Sequence, residues 1–119
     1  MFRIEKEFAF SAAHQLHGLR TGHPCGRVHG HNYRVVVVLE AQALNEHSFV
    51  VDYNDLSPLA AYIDGTLDHR NLNDVFSFQT TAENLARHLF EHCKVLWPQT
   101  VEVRVSETPK TWASYREAA

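Results

Sequence analysis

Cysteine, glycine and proline are sparse in this protein, and positive charge is not in surplus. Cys25 and Cys93 are its two thiols, and the opening "MFRIEKEFAF" is charged early, with no apolar leader core. Both points argue against a secreted disulfide framework and lead us to expect a reduced, cytoplasmic protein. A formal net charge of -3 gives no basis for a nucleic-acid surface, so none is expected. No apolar run is long enough to span a membrane, which sets aside a membrane-embedded role. Five glycines and four prolines in 119 residues form no linker, repeat or low-complexity tract. What remains is an ordinary globular composition, 45% hydrophobic and 21% charged. Residues 1–119 suit a single domain with a modest core.

Histidine is the residue in excess. There are nine, and His14, His17, His23, His29 and His31 fall within eighteen residues. Histidine is both a common metal ligand and the side chain that titrates near neutral pH. The densest stretch is "CGRVHGHNY", residues 25 to 33, which runs directly into "VVVV".

Periodicity supplies the frame around it. Phe2, Ile4, Phe8, Phe10 and Ala12 share one parity, with Lys6 as the exception, and His14 continues the row. A half-buried strand over residues 2 to 14 follows. Residues 15 to 28 hold Gly18, Gly22, Pro24 and Gly26 and read as a long, functional type of loop. A β-branched strand spans residues 31 to 40. Leu56, Leu59, Ala60, Ile63 and Leu67 lie on one helical face, with Asn54 or Asp55 as its cap and Pro58 in its first turn. A second helix runs over residues 80 to 96, with Thr80 and Glu83 at capping-box spacing and an apolar stripe of Ala82, Leu85, Ala86, Leu89 and Cys93. Val101, Val103 and Val105 alternate with Glu102, Arg104 and Ser106, and "TWASYR" closes a hairpin. The order ββααββ predicts an α+β sandwich, a four-stranded antiparallel sheet with two helices on one face.

Several residues on this frame have chemical potential. His29 and His31, two apart on a strand, project to the same side, and an antiparallel neighbour can bring His14 alongside. Three neutral imidazoles leave one position of a tetrahedral Zn²⁺ open, as catalytic zinc requires. The same residues could also be surface histidines of a His-rich loop, or a hydrogen-bonded core histidine in the case of His14. Cys25 could be a fourth ligand, a thiolate base or nucleophile, or inert. Cys93, on a helical stripe, reads as core. Asp68 beside His69 could form an acid–base pair, although adjacent residues face each other only across a turn; the alternative is a histidine on a helix C-terminal dipole. Glu107 shares the parity of the core valines. A carboxylate there needs the N–H edge of a heterocycle, a salt bridge, or escape into solvent.

Taken together the residues resemble the 6-pyruvoyl-tetrahydropterin synthase family, whose bacterial branch forms 6-carboxy-tetrahydropterin for queuosine biosynthesis. The likeness lies in "FSAAH" (10–14), "CGRVHGHNY" (25–33), "VVDYNDL" (50–56), "LDHRNLN" (67–73), "TAENLA" (81–86) and "VSET" (105–108). It implies the T-fold, in which subunits join through sheet edges into barrels, commonly hexamers, with active sites between subunits. It implies His14, His29 and His31 as zinc ligands, Cys25 as the catalytic base, Asp68 and His69 as the acid–base pair, and Glu107 as the pterin anchor. The implied substrate is 7,8-dihydroneopterin triphosphate, with Arg20, Arg27 and Lys110 as candidate triphosphate partners. One branch stops at a pyruvoyl product; another cleaves a carbon–carbon bond in the substrate's side arm and releases acetaldehyde. A non-catalytic zinc- or pterin-binding module is the reading from another class. A folate-precursor branch carries glutamate for the cysteine, and Cys25 argues against it. The short length is more like the carboxy-forming enzymes. The family often has proline before its "T-x-E-N"; here Gln79 and Thr80 precede it, a departure expected to touch a helix start and a candidate substrate-contacting loop, not the metal.

Overall fold

A computed structural model describes residues 1–118. Four strands form one antiparallel sheet in the order β1-β2-β3-β4: β1 (Phe2–His14), β2 (His29–Ala41), β3 (Thr100–Ser106) and β4 (Ala113–Tyr115). The alternation in β1 appears as expected: Phe10, Ala12 and His14 are buried and Glu5, Glu7 and Ala9 exposed. Val35, Val37 and Leu39 of β2 carry the same face into the core beside Val103 and Val105.

The region that reads as one long helix is built from three pieces. A 3-10 turn (Tyr53–Leu56) leads into α1 (Ser57–Tyr62), which ends in a π-turn (Ile63–Leu67). Of the predicted apolar face, Leu56, Leu59, Ile63 and Leu67 are buried and Ala60 is half-buried. Its cap is Asp52, whose carboxylate accepts from Asn54 N–H at 2.9 Å, instead of Asn54 or Asp55. The one-turn helix α2 (Leu72–Val75) follows, capped by Asn71. The helix α3 (Ala82–Leu96) buries Leu85, Ala86, Leu89, Phe90 and Cys93. Burying each large side chain of this kind is worth about 1.5–3 kcal/mol. Cys93 is a core residue, as its helical position predicted, and burial pushes its thiol up to about 12.

Two local expectations are corrected. The N-cap of α3 is Thr81, which accepts from Asn84 N–H at 3.2 Å, so Thr80 is not the capping residue. In β3, the register shifts between Val38 and Leu39, so that Val38 faces Glu102 and Leu39 faces Thr100. The bulge leaves Val101 only half-buried and hands its core position to Thr100, whose hydroxyl donates to Trp97 O at 2.8 Å. The opposite face of the sheet carries a charge lattice. Arg3 and Arg104 hold Glu5, Arg34 holds Glu7, and Trp112 lies across Arg34.

Candidate active site

The strand register builds the site. His14 stands directly opposite His29 in the β1–β2 ladder, and Ala12 opposite His31. Directly opposed residues share a face, and so do residues two apart. The three imidazoles therefore converge, with ring centroids 4.6, 5.1 and 4.8 Å apart in edge-to-face contact. One ring nitrogen from each lies within 4.8 Å of the others.

Hydrogen bonds set the tautomers. His14 Nδ1–H donates to Thr80 O at 2.7 Å, and His29 Nδ1–H donates to Arg27 O at 2.7 Å. Neutral rings held this way carry bare lone pairs at Nε2. These two Nε2 atoms face each other at 3.0 Å. Opposed lone pairs repel, so the arrangement calls for a cation between them. A proton serves two nitrogens, whereas a metal serves three. The third, His31 Nε2, is buried with no hydrogen-bond partner and lies 3.8 Å from Glu107 Oε2. Burial, the leading cause, lowers the proton affinity of His14 and His31, which favours the neutral, metal-binding form. Tetrahedral zinc with nitrogen ligands spaces them about 3.3 Å apart, within the range these atoms span. Carbonyl acceptors behind ligand imidazoles are the usual support of a metal centre. The residues fit a metal ion with one open position.

His31 stands where three cavities meet. One, of about 530 Å³, is lined by Cys25, Arg27, His29 and His31. Cys25 sits in a 3-10 turn (Pro24–Gly26) tied down by Cys25 N–H to His23 Nδ1 and Leu16 N–H to Cys25 O. Among the described residues the cysteine is not part of the three-imidazole group, which speaks against its being a fourth ligand. A second cavity, of about 670 Å³, is lined by Phe10, His31, Tyr33, Asp68 and Glu107. Glu107 has no Arg or Lys partner among the described residues; the titratable side chain beside it is His31. Tyr33 is fully buried, stacks on Phe10, and its hydroxyl finds no hydrogen-bond partner. The third cavity is lined by His31, His69, Arg70 and Asn71.

The turn that Asp68 and His69 need is present. The π-turn closes with Asp68 N–H to Ile63 O, and His69 takes a positive φ of 58°. Asp68 Oδ2 then meets His69 Nδ1 at 2.8 Å, while Oδ1 accepts from Ser11 N–H at 2.9 Å. These bonds, Ser11 N–H first, hold the Asp68 carboxyl below its ordinary range. The segment is stitched to the edge of β1 by His69 N–H to Ser11 O and Ala13 N–H to Arg70 O. The His69 side chain is 83% exposed and lines a different cavity from Cys25. Arg20 and Arg27 line a further cavity of about 520 Å³ with His17 and His23, and no acidic side chain lines it; Lys110 stands elsewhere.

Three contributors are not visible in the sequence. The Arg27 carbonyl carries no side-chain signal. The Ser11 amide holds Asp68 only because β1 and the π-turn meet. Thr80 reads as a helix cap remote from the metal site, yet it holds His14. Two adjacent threonines before one helix are the available hint, since only one of them can cap it.

The 6-pyruvoyl tetrahydropterin synthase family model matches residues 3–118. A 6-carboxy-5,6,7,8-tetrahydropterin synthase of Bacillus subtilis is 30% identical, covering 97% of this chain and 85% of its own. A 6-pyruvoyl tetrahydrobiopterin synthase of Poecilia reticulata is 33% identical, covering 95% and 88%. The solved structure of Caenorhabditis elegans 6-pyruvoyl tetrahydropterin synthase superposes with a TM-score of 0.86 at 30% identity, covering 98% of this chain and 96% of that one. With a T-fold sheet and three converging imidazoles already in place, and with this match over nearly its whole length, the protein belongs to the 6-pyruvoyl tetrahydropterin synthase family.

Proposed function

We infer that the protein is a zinc-dependent 6-carboxy-5,6,7,8-tetrahydropterin synthase. It acts on 7,8-dihydroneopterin triphosphate and releases acetaldehyde and triphosphate, a step of queuosine biosynthesis. The observation that carries this reading is the placement of His31: it joins the imidazole trio, a cavity holding a carboxylate, Glu107, that has no Arg or Lys partner among the described residues, and a cavity holding a thiol. His14, His29 and His31 would hold the zinc. A zinc ion there supplies a Lewis acid that acidifies C–H and O–H bonds beside the hydroxyls it touches.

The remaining work falls to the protein's own side chains. The Glu107 carboxylate accepts the N–H edge of the pterin ring and orients the side arm of the substrate toward the imidazoles. Cys25 Sγ takes a proton as base. Asp68 occupies His69 Nδ1, which leaves Nε2 as the nitrogen that exchanges protons with substrate. Because His69 and Cys25 line different cavities, this reading joins them across a subunit boundary. The outer edge of β1 from Phe2 to Ala9 has no strand beyond it among the described residues, as assembly through sheet edges into a hexamer requires. Arg20 and Arg27 receive the triphosphate. No described helix is long and apolar enough to cross a membrane, and two free thiols suit the reducing cytoplasm.

The pyruvoyl-forming reaction is the second reading, because relatives bearing that name are as similar as the carboxy-forming ones. A product assay separates the two. Zinc-loaded protein given dihydroneopterin triphosphate should release acetaldehyde and leave a 6-carboxy pterin. Triphosphate release without acetaldehyde would move the protein to the pyruvoyl-forming branch. No turnover of either kind would leave a binding module.

A further inference from the structure

Thr80 has a polar side chain that neither the helix nor the core explains. The residue is 0% exposed. Thr81 caps α3, so the Thr80 hydroxyl is not needed there. A buried hydroxyl is costly unless it is bonded, and valine would fill the same volume at no such cost. The bond it makes is to His14: Oγ1 lies 3.2 Å from Nδ1, while the carbonyl of the same residue lies 2.7 Å from it. One N–H is thus shared between two acceptors. A single acceptor leaves an imidazole free to pivot about its hydrogen bond. Two acceptors on one rigid residue fix its plane.

The segment is itself anchored on both sides. The Gln79 side chain accepts from His17 N–H at 3.0 Å and donates to His17 O at 2.7 Å. Asn84 Nδ2 donates to Gln79 O at 2.9 Å. Beyond Thr81, α3 is locked by its buried face. Thr80 therefore connects the rigid helix to the end of β1, where His14 stands. His29 differs: its Nδ1 has the Arg27 carbonyl alone, from an exposed residue of the loop.

We propose that Thr80 is a positioning residue of the metal centre, its hydroxyl and carbonyl together holding the His14 imidazole so that Nε2 meets the ion. This rests on the metal-site reading of the three imidazoles. The hydroxyl makes His14 the pre-set ligand, around which His29 and His31 close. Outer-shell partners of this kind are worth about 10–100-fold in metal affinity. The hydroxyl is the longer of two contacts, so the lower end, about tenfold, applies.

The test measures zinc affinity by competition with a chromophoric chelator, together with the visible spectrum of the Co²⁺ form. Thr80→Val keeps shape and carbonyl and removes the hydroxyl. It should weaken zinc about tenfold and alter the Co²⁺ spectrum, while the metal-free protein melts no lower than the parent. Thr80→Ser should restore both affinity and spectrum. Unchanged affinity in Thr80→Val, or equal loss in Thr80→Ser, overturns the proposal. A lower melting temperature of metal-free Thr80→Val with parental zinc affinity also overturns it, by making the role structural. A parent protein that binds no zinc removes the metal site itself, and is told apart by failing before any substitution is made.

Discussion

Glu107→Gln isolates the role of the carboxylate. Glu107 ends the apolar row of Val103 and Val105, lines the cavity of about 670 Å³, and is paired with no Arg or Lys among the described residues. If it were there for stability it would have a cation beside it. In the pterin reading it accepts two N–H bonds from the ring edge. Hydrogen bonds to charged groups contribute about 1.5–3 kcal/mol each. Glutamine keeps one acceptor but turns an NH₂ toward a donor, which loses one charged bond and leaves a facing donor unsatisfied. The cost is about 3 kcal/mol, on the order of a 100-fold loss of pterin affinity. Zinc affinity should stay near parental, because the carboxylate is a neighbour of His31 at 3.8 Å and not one of the three ligands. The assay is a fluorescence titration of the zinc-loaded protein with dihydroneopterin, read beside a chelator competition for zinc. Pterin binding within about threefold of the parent would refute the anchor. Joint loss of pterin and zinc would show that Glu107 supports the metal site instead.

Other expectations follow from buried polar groups. Tyr33→Phe removes a hydroxyl that is buried without a partner, so the metal-free protein should be as stable as the parent or more so, by up to about 1 kcal/mol in urea unfolding; a clear destabilisation would mean that the hydroxyl is bonded in solution. The metal-free protein should lose stability as pH falls through 6.5, the unfolded value of histidine. Burial lowers the proton affinity of His14, His31, His88 and His92 below that value, so there the unfolded state binds more protons than the folded one. The loss levels off once the folded state is also protonated, and zinc should lose affinity over the same range. Melting curves with and without zinc check this, and a flat metal-free profile would contradict it.

Much of this molecule is legible in its sequence because the signals are local. The parity of Phe8, Phe10 and Ala12, the stripe of Leu85, Leu89 and Cys93, and the i, i+2 spacing of His29 and His31 each repeat with the period of their element. Side chains on one face of one element need no partner to be recognised. Sequence alone could not say that His14 lands opposite His29, because a one-residue slip of the β1–β2 ladder would turn it away. Nor could it place the bulge that swaps Val101 for Thr100, or the π-turn that bends His69 back onto Asp68. The supports of the site were the least visible. The Arg27 and Thr80 carbonyls and the Ser11 amide belong to the backbone, which every residue shares, and only tertiary packing selects which of them meets a histidine or a carboxylate. Residue type and period thus determined the elements and the inventory of the site. Long-range register and backbone hydrogen bonding decided its geometry.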